Sequence, residues 1–122
     1  PNGKDDLMVQ DAELHLQIDK PVEFLLRSID VIHNFYVPEF RAKMDMVPGL
    51  VTYYWIIPTK IGEYEILCAE LCGTGHYAML GIVSVDKKSD YSNWLAQQIT
   101  FESTLAQNKV KNKTIQLAEN AK

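Results

Sequence analysis

The 122-residue chain has little of what would commit it to a membrane, to nucleic acid or to a disulfide scaffold. Its apolar runs are only a few residues long, against roughly 20 for a membrane-crossing helix. No secretory signal pattern opens it. Lys and Arg number 12 against 16 Asp and Glu, and no basic stripe interleaved with aromatics appears, so nucleic acid is excluded as a partner. Cysteine is reduced to two residues and histidine to three. Two thiols close one disulfide at most, or none if they serve a metal. What remains, 47% hydrophobic and 23% charged residues, is ordinary for one globular domain with a modest core.

The formal charge of −4 is uneven: residues 1–90 carry 14 acidic and 8 basic side chains, residues 91–122 carry 2 and 4. An acidic surface of this kind steers a cationic partner, although most such residues serve solubility alone.

Period-two patterning dominates the first ninety residues. Leu7–Gln10 is a short apolar run, and Ala12, Leu14, Leu16 and Ile18 then alternate with Glu13, His15 and Gln17, which predicts a half-buried strand with His15 on the outer, polar face. After Lys20-Pro21, residues 22–29 predict a more continuous apolar strand suited to a sheet interior. Residues 40–48, ending in Pro48-Gly49, predict a connecting loop and turn. Residues 51–57 predict a strand with Val51, Tyr53, Trp55 and Ile57 on one face, Trp55 being a core residue. Strands are also predicted over 64–67 and 82–85. Ser89 is a candidate N-cap for a short helix that Trp94 pins to the sheet. The fold class is therefore all-β with a C-terminal helix. The domain is assigned to residues 1–102, with 103–122 as a polar extension.

Between the last two long strands lies Cys68-Ala69-Glu70-Leu71-Cys72-Gly73-Thr74-Gly75-His76-Tyr77-Ala78-Met79. Thiolate and thioether sulfurs are soft donors and imidazole is borderline. Together they select copper over calcium, magnesium or manganese. Gly73 and Gly75, lacking Cβ, can take left-handed angles that fold the loop back on itself. Cys72, His76 and Met79 alone would describe a single-copper site, whereas Cys68 adds a second thiolate able to bridge two coppers. A Cys68–Cys72 disulfide is the bland alternative for two cysteines at this spacing. Met44 and Met46 are read as core gap-fillers rather than ligands, and Asp45 as a partner of the loop or a turn cap.

The loop from Cys68 to Met79, with Asp30-Val31-Ile32-His33-Asn34-Phe35-Tyr36-Val37-Pro38 and Met44-Asp45-Met46-Val47-Pro48-Gly49, closely resembles the soluble dinuclear-copper domain of haem-copper cytochrome c oxidase subunit II. The resemblance runs from about Leu7 to about Leu95 and implies a cupredoxin-like Greek-key β-barrel. It implies two coppers held by His33, Cys68, Cys72, His76, Met79 and the Glu70 carbonyl. It also implies a magnesium site at the Glu70 side chain, completed only in the full complex.

The implied role is to accept electrons from reduced cytochrome c and pass them to the haem of oxidase catalytic subunit I. The implied location is the outer, periplasmic face of the plasma membrane. In that family two membrane helices and an aromatic stretch that admits the electron precede this domain. The expectation is therefore a soluble piece of a longer subunit, without its electron-input residue. Two alternatives stand beside this reading: a single-copper blue protein or copper carrier, and the dinuclear-copper domain of nitrous oxide reductase. The loop of the latter typically carries an aromatic residue where Glu70 stands.

Overall fold

The computed structural model describes residues 3–9, 13–106 and 108, which form two compact units. Residues 11–94 make up the larger. Its strands are β2 (Glu13–Gln17), β3 (Val22–Leu26), β4 (His33–Val37), β5 (Ala42–Met46), β6 (Thr52–Ile56), β7 (Gly62–Cys68) and β8 (Leu80–Asp86), after β1 (Leu7–Met8) of the other unit. Helix α1 (Lys88–Leu95) follows.

Five strands form one sheet in the order β2-β8-β7-β4-β5, and β3 pairs with β6 in a second. The chain passes from one sheet to the other between β2 and β3, returns at β4, crosses again at β6 and returns at β7, which is Greek-key connectivity. β2 and β8 are parallel; the other pairs in this unit are antiparallel.

The core lies where the two sheets face each other. Leu16, Leu26, Phe35, Val37, Ala42, Val83 and Val85 are buried there. Phe24 bridges the layers, its ring centroid 5.2 Å from Phe35 and 5.5 Å from Tyr54. Met44 and Met46 pack against this cluster as the gap-fillers they were expected to be.

Several expectations need correction. Residues 42–46 are a strand, not a loop: Ala42, Met44 and Met46 face inward while Lys43 and Asp45 face out, so β5 pairs with β4 along its length. β3 is not an interior strand. It belongs to a two-stranded sheet that packs on one face only, leaving Leu25 62% exposed.

The face shared by Val51, Tyr53, Trp55 and Ile57 is the outer one. Trp55 is 68% exposed because cross-strand pairing places it opposite Glu23 while Phe24 and Tyr54 pair inward. His15 does face outward from the core, but α1 covers it. Its ring stacks on Trp94 at 4.6 Å, and Nδ1 meets Asp86 Oδ2 at 2.5 Å.

Helix α1 begins with the Tyr91 amide donating to the Lys87 carbonyl at 3.0 Å. Ser89 therefore falls inside the first turn rather than at the cap, and its hydroxyl donates to Asp90. In the smaller unit β1 pairs with β9 (Ile99–Thr100), and the Phe101 amide donates to the Asp6 carbonyl at 2.8 Å. Lys4 and Glu102 pair at 3.1 Å. Residues 101–106 are helical. Ala12, and Val110, Ile115 and Leu117 of the polar extension, lie outside the described residues.

Candidate metal centre

β4 and β7 are antiparallel neighbours, with Phe35 opposite Cys68 and Tyr36 opposite Leu67. Side chains two apart on a strand share a face. His33, two residues before Phe35, therefore points to the same side as Cys68 just as β7 ends. Strand pairing alone delivers an imidazole from one part of the sequence to a thiol 35 positions later.

The loop supplies the rest. Gly73 takes φ +127°, a conformation side chains rarely adopt. From there the chain tightens: the His76 amide donates to the Gly73 carbonyl at 3.1 Å, and the Ala78 amide to the Gly75 carbonyl at 3.0 Å, within a 3₁₀ turn over His76–Ala78. Gly75 itself has φ −87°, so only the first of the two glycines uses the left-handed freedom expected of both.

The potential donors form a connected set. Cys68 Sγ stands 3.6 Å from Cys72 Sγ, 4.0 Å from His33 Nδ1 and 3.3 Å from the Glu70 carbonyl oxygen. Cys72 Sγ stands 3.5 Å from His76 Nδ1 and 3.3 Å from Met79 Sδ. Donor atoms of His33, Cys68 and Cys72 all lie within 4.8 Å of one another. All six residues singled out in the sequence are thus brought together. The two sulfurs sit at the middle, each flanked by one imidazole and one weaker donor. Both cysteines are free thiols, their separation well beyond the roughly 2.05 Å of a disulfide.

Electrostatics at this spot favours a cation. Burial pushes the Cys68 thiol up, but backbone hydrogen bonds from Asn34 and Glu70 and contacts with His33 and His76 outweigh it and bring it down to about 6. Cys72 moves the other way, raised by burial and by the charge and hydrogen bond of Cys68. Two thiolates this close cannot both ionise unless positive charge lies between them. Sulfur and imidazole donors around that charge fit copper.

His33 has a further contact that the sequence reading did not single out. Its Nε2 meets Asp30 Oδ1 at 2.8 Å, and this hydrogen bond holds the Asp30 carboxyl down at about 2. The same bond, with a contribution from Cys68, raises His33 above its ordinary value. The three-residue spacing of Asp30 and His33 was the available signal. Among the described residues Asp45 does not bond the cysteine loop: its Oδ1 accepts from Asn34 Nδ2 at 2.6 Å across β4 and β5, and its main-chain carbonyl accepts from the Thr52 hydroxyl across the turn at 47–51. Asn34, Lys43, Met44, Asp45 and Glu70 line a cavity of about 390 Å³.

Fold and site together define a cupredoxin-like class, a Greek-key β domain with a soft-donor loop suited to a metal between two strands. The sequence profile of the cytochrome c oxidase subunit II periplasmic domain matches residues 1–86, and the chain belongs to that family. It is 57% identical over 110 residues to an alternative cytochrome c oxidase subunit 2 from Bradyrhizobium diazoefficiens, covering 90% of this chain and 40% of that protein. It is 42% identical over 92 residues to a cytochrome c oxidase subunit 2 from Thermostichus vulcanus, covering 75% of this chain and 28% of that protein.

The fold is similar to the periplasmic domain of subunit II (CoxB) of Bradyrhizobium japonicum, with TM-score 0.67 and 29% identity over 74% of this chain and 72% of that one. A second solved structure captures a subunit II domain in a mixed-disulfide intermediate with a thioredoxin-like protein; it has TM-score 0.61 and 28% identity, covering 69% of this chain and 59% of that one. The chain spans less than half the length of the curated relatives it matches. Among the described residues no helix is long and apolar enough to cross a membrane.

Proposed function

We propose that this domain is the electron-receiving module of a haem-copper oxidase. It would take single electrons from reduced cytochrome c and deliver them to the haem of catalytic subunit I, on the periplasmic face of the membrane. His33, Cys68, Cys72, His76 and Met79 side chains and the Glu70 carbonyl would hold two coppers. When bound, that pair supplies reversible one-electron exchange without bond making or breaking.

The chain's own residues do the rest. β4 and β7 fix His33 and Cys68 on a paired frame, and the 3₁₀ turn fixes His76 and Met79. Ligands held by a rigid frame need little rearrangement between oxidation states, which keeps transfer fast. The observation that carries this reading is the central position of both sulfurs. A single-copper site would need one cysteine set apart, yet each sulfur has its own imidazole and its own weaker donor. The Glu70 carboxylate, beside the Asp45 cavity, is the group that would meet a magnesium ion completed by subunit I in the whole complex.

Metal analysis with absorption and paramagnetic resonance spectra tests this directly. The expected result is two coppers per chain, a purple oxidised form, and hyperfine structure from one electron shared by two nuclei. Cys68→Ser and Cys72→Ser should each abolish that spectrum. One copper and a blue colour in the fully loaded wild type would overturn the reading.

Free thiols 3.6 Å apart also suit a second partner. A two-electron oxidant of the disulfide-exchange class would close them into a disulfide unable to take copper, its own disulfide being reduced to a dithiol. A thioredoxin-like reductase, of the kind captured on the solved relative, would reopen it through a mixed disulfide, ending with its own dithiol oxidised.

A further inference from the structure

We propose that Asp30 is the positioning residue for His33, selecting the ring tautomer that leaves Nδ1 free for metal, while His76 has no such carboxylate among the described residues. The inference rests on the metal-centre reading above and concerns how one ligand is made ready. A neutral imidazole has one N–H and one lone pair, and which nitrogen carries which is set by what the other nitrogen meets. An ionised carboxylate only accepts. With Asp30 Oδ1 at 2.8 Å from Nε2, the proton belongs on Nε2 and the lone pair on Nδ1, the nitrogen that faces Cys68 Sγ at 4.0 Å. The opposite tautomer would set a lone pair against the carboxylate and a proton against the metal position.

The carboxylate is itself held. The Ser28 hydroxyl lies 3.1 Å from Asp30 Oδ1 and also bonds the Val31 carbonyl, and Ser28 bridges to Pro48 through the backbone. The turn that carries Asp30 is thus tied to the segment following β5. Asp30 is 64% exposed at the side chain against 12% for His33, so the carboxylate reaches the ligand from the solvent side without being part of the core. His76 Nδ1 faces Cys72 Sγ at 3.5 Å, but among the described residues no carboxylate bonds its other nitrogen. Carboxylates behind metal-bound imidazoles fix the ring and raise its basicity, and losing one typically lowers metal affinity about 10–100-fold.

Nitrogen-15 NMR of histidine rings in reduced, metal-free protein, followed with rising pH until the rings are neutral, reads the tautomer without any copper. Wild type should show His33 protonated at Nε2. Asp30→Ala should lose that bias while His76 is unchanged, and Asp30→Asn, which keeps an acceptor oxygen, should retain it. In competition titrations Asp30→Ala should bind Cu(I) about 10–100-fold more weakly. Asp30→Asn should stay close to wild type in affinity but show a higher reduction potential, since a negative charge favouring the oxidised state is gone.

An unchanged His33 tautomer in Asp30→Ala, or undiminished copper affinity in that variant, overturns the proposal. A wild type that loads a single copper would overturn the dinuclear reading instead, and the tautomer measurement would still decide the role of Asp30.

Discussion

Tyr54 shows how one buried atom sets a pH limit. Its ring stacks on Phe24 inside the core, and its hydroxyl is buried with no hydrogen-bond partner among the described residues. Burial raises the phenol above its ordinary 10.0, so the folded chain holds that proton more tightly than the unfolded chain does. The stability linked to it is complete below pH 10.0 and is lost as pH rises through the folded-state value. Tyr54→Phe removes an unpaired polar atom while keeping the ring. Urea titrations at pH 7 should find it neutral to about 1 kcal/mol more stable. At pH 11 its advantage over wild type should widen, and a variant less stable at both pH values would mean the hydroxyl has a partner after all.

At the scale of elements, the pairing of β3 with β6 decides which aromatics matter for stability. Phe24 contacts both Phe35 and Tyr54, whereas for Trp55, two positions along the outer face from Tyr53, the one ring contact among the described residues is with Tyr53 at 6.3 Å. Phe24→Ala should cost about 3–5 kcal/mol in chemical denaturation. Trp55→Ser should change stability by no more than about 0.5 kcal/mol, as exposed substitutions usually do. A large loss at Trp55 would show that its face is covered in solution. The pairing also explains a misreading. Apart from Thr52, both faces of residues 51–57 are apolar or aromatic, so alternation identified the strand but could not say which face turned inward.

The same limit applies to β5. Proline and mixed charge disguised five residues whose inward set, Ala42, Met44 and Met46, is recognisable once β4 lies beside it.

For the molecule as a whole, the core and the metal loop are separate. None of the seven buried apolar residues is a proposed ligand. The β frame should therefore persist when copper is removed under reducing conditions, with the circular-dichroism signature of strands retained and amide signals still dispersed. Copper, binding the folded chain, should raise the denaturation midpoint with free metal concentration and leave the slope unchanged. An unfolded apoprotein would refute this separation. It is also why the site could be read so far ahead of the fold. Its chemistry is concentrated in twelve consecutive residues plus one histidine, whereas strand pairing is spread over the entire chain.

The sequence by itself determined the donor types, their order, the all-β class and the family resemblance, because ligand softness and period-two patterning are local properties of side chains and backbone. Only the tertiary structure decided that β4 runs beside β7 and so sets His33 against Cys68. It also decided that Asp30 backs His33, that α1 covers His15, and that Trp55 faces solvent. Each of these depends on which surfaces are buried against each other, and that choice is made by long-range packing rather than by any residue's neighbours in the chain.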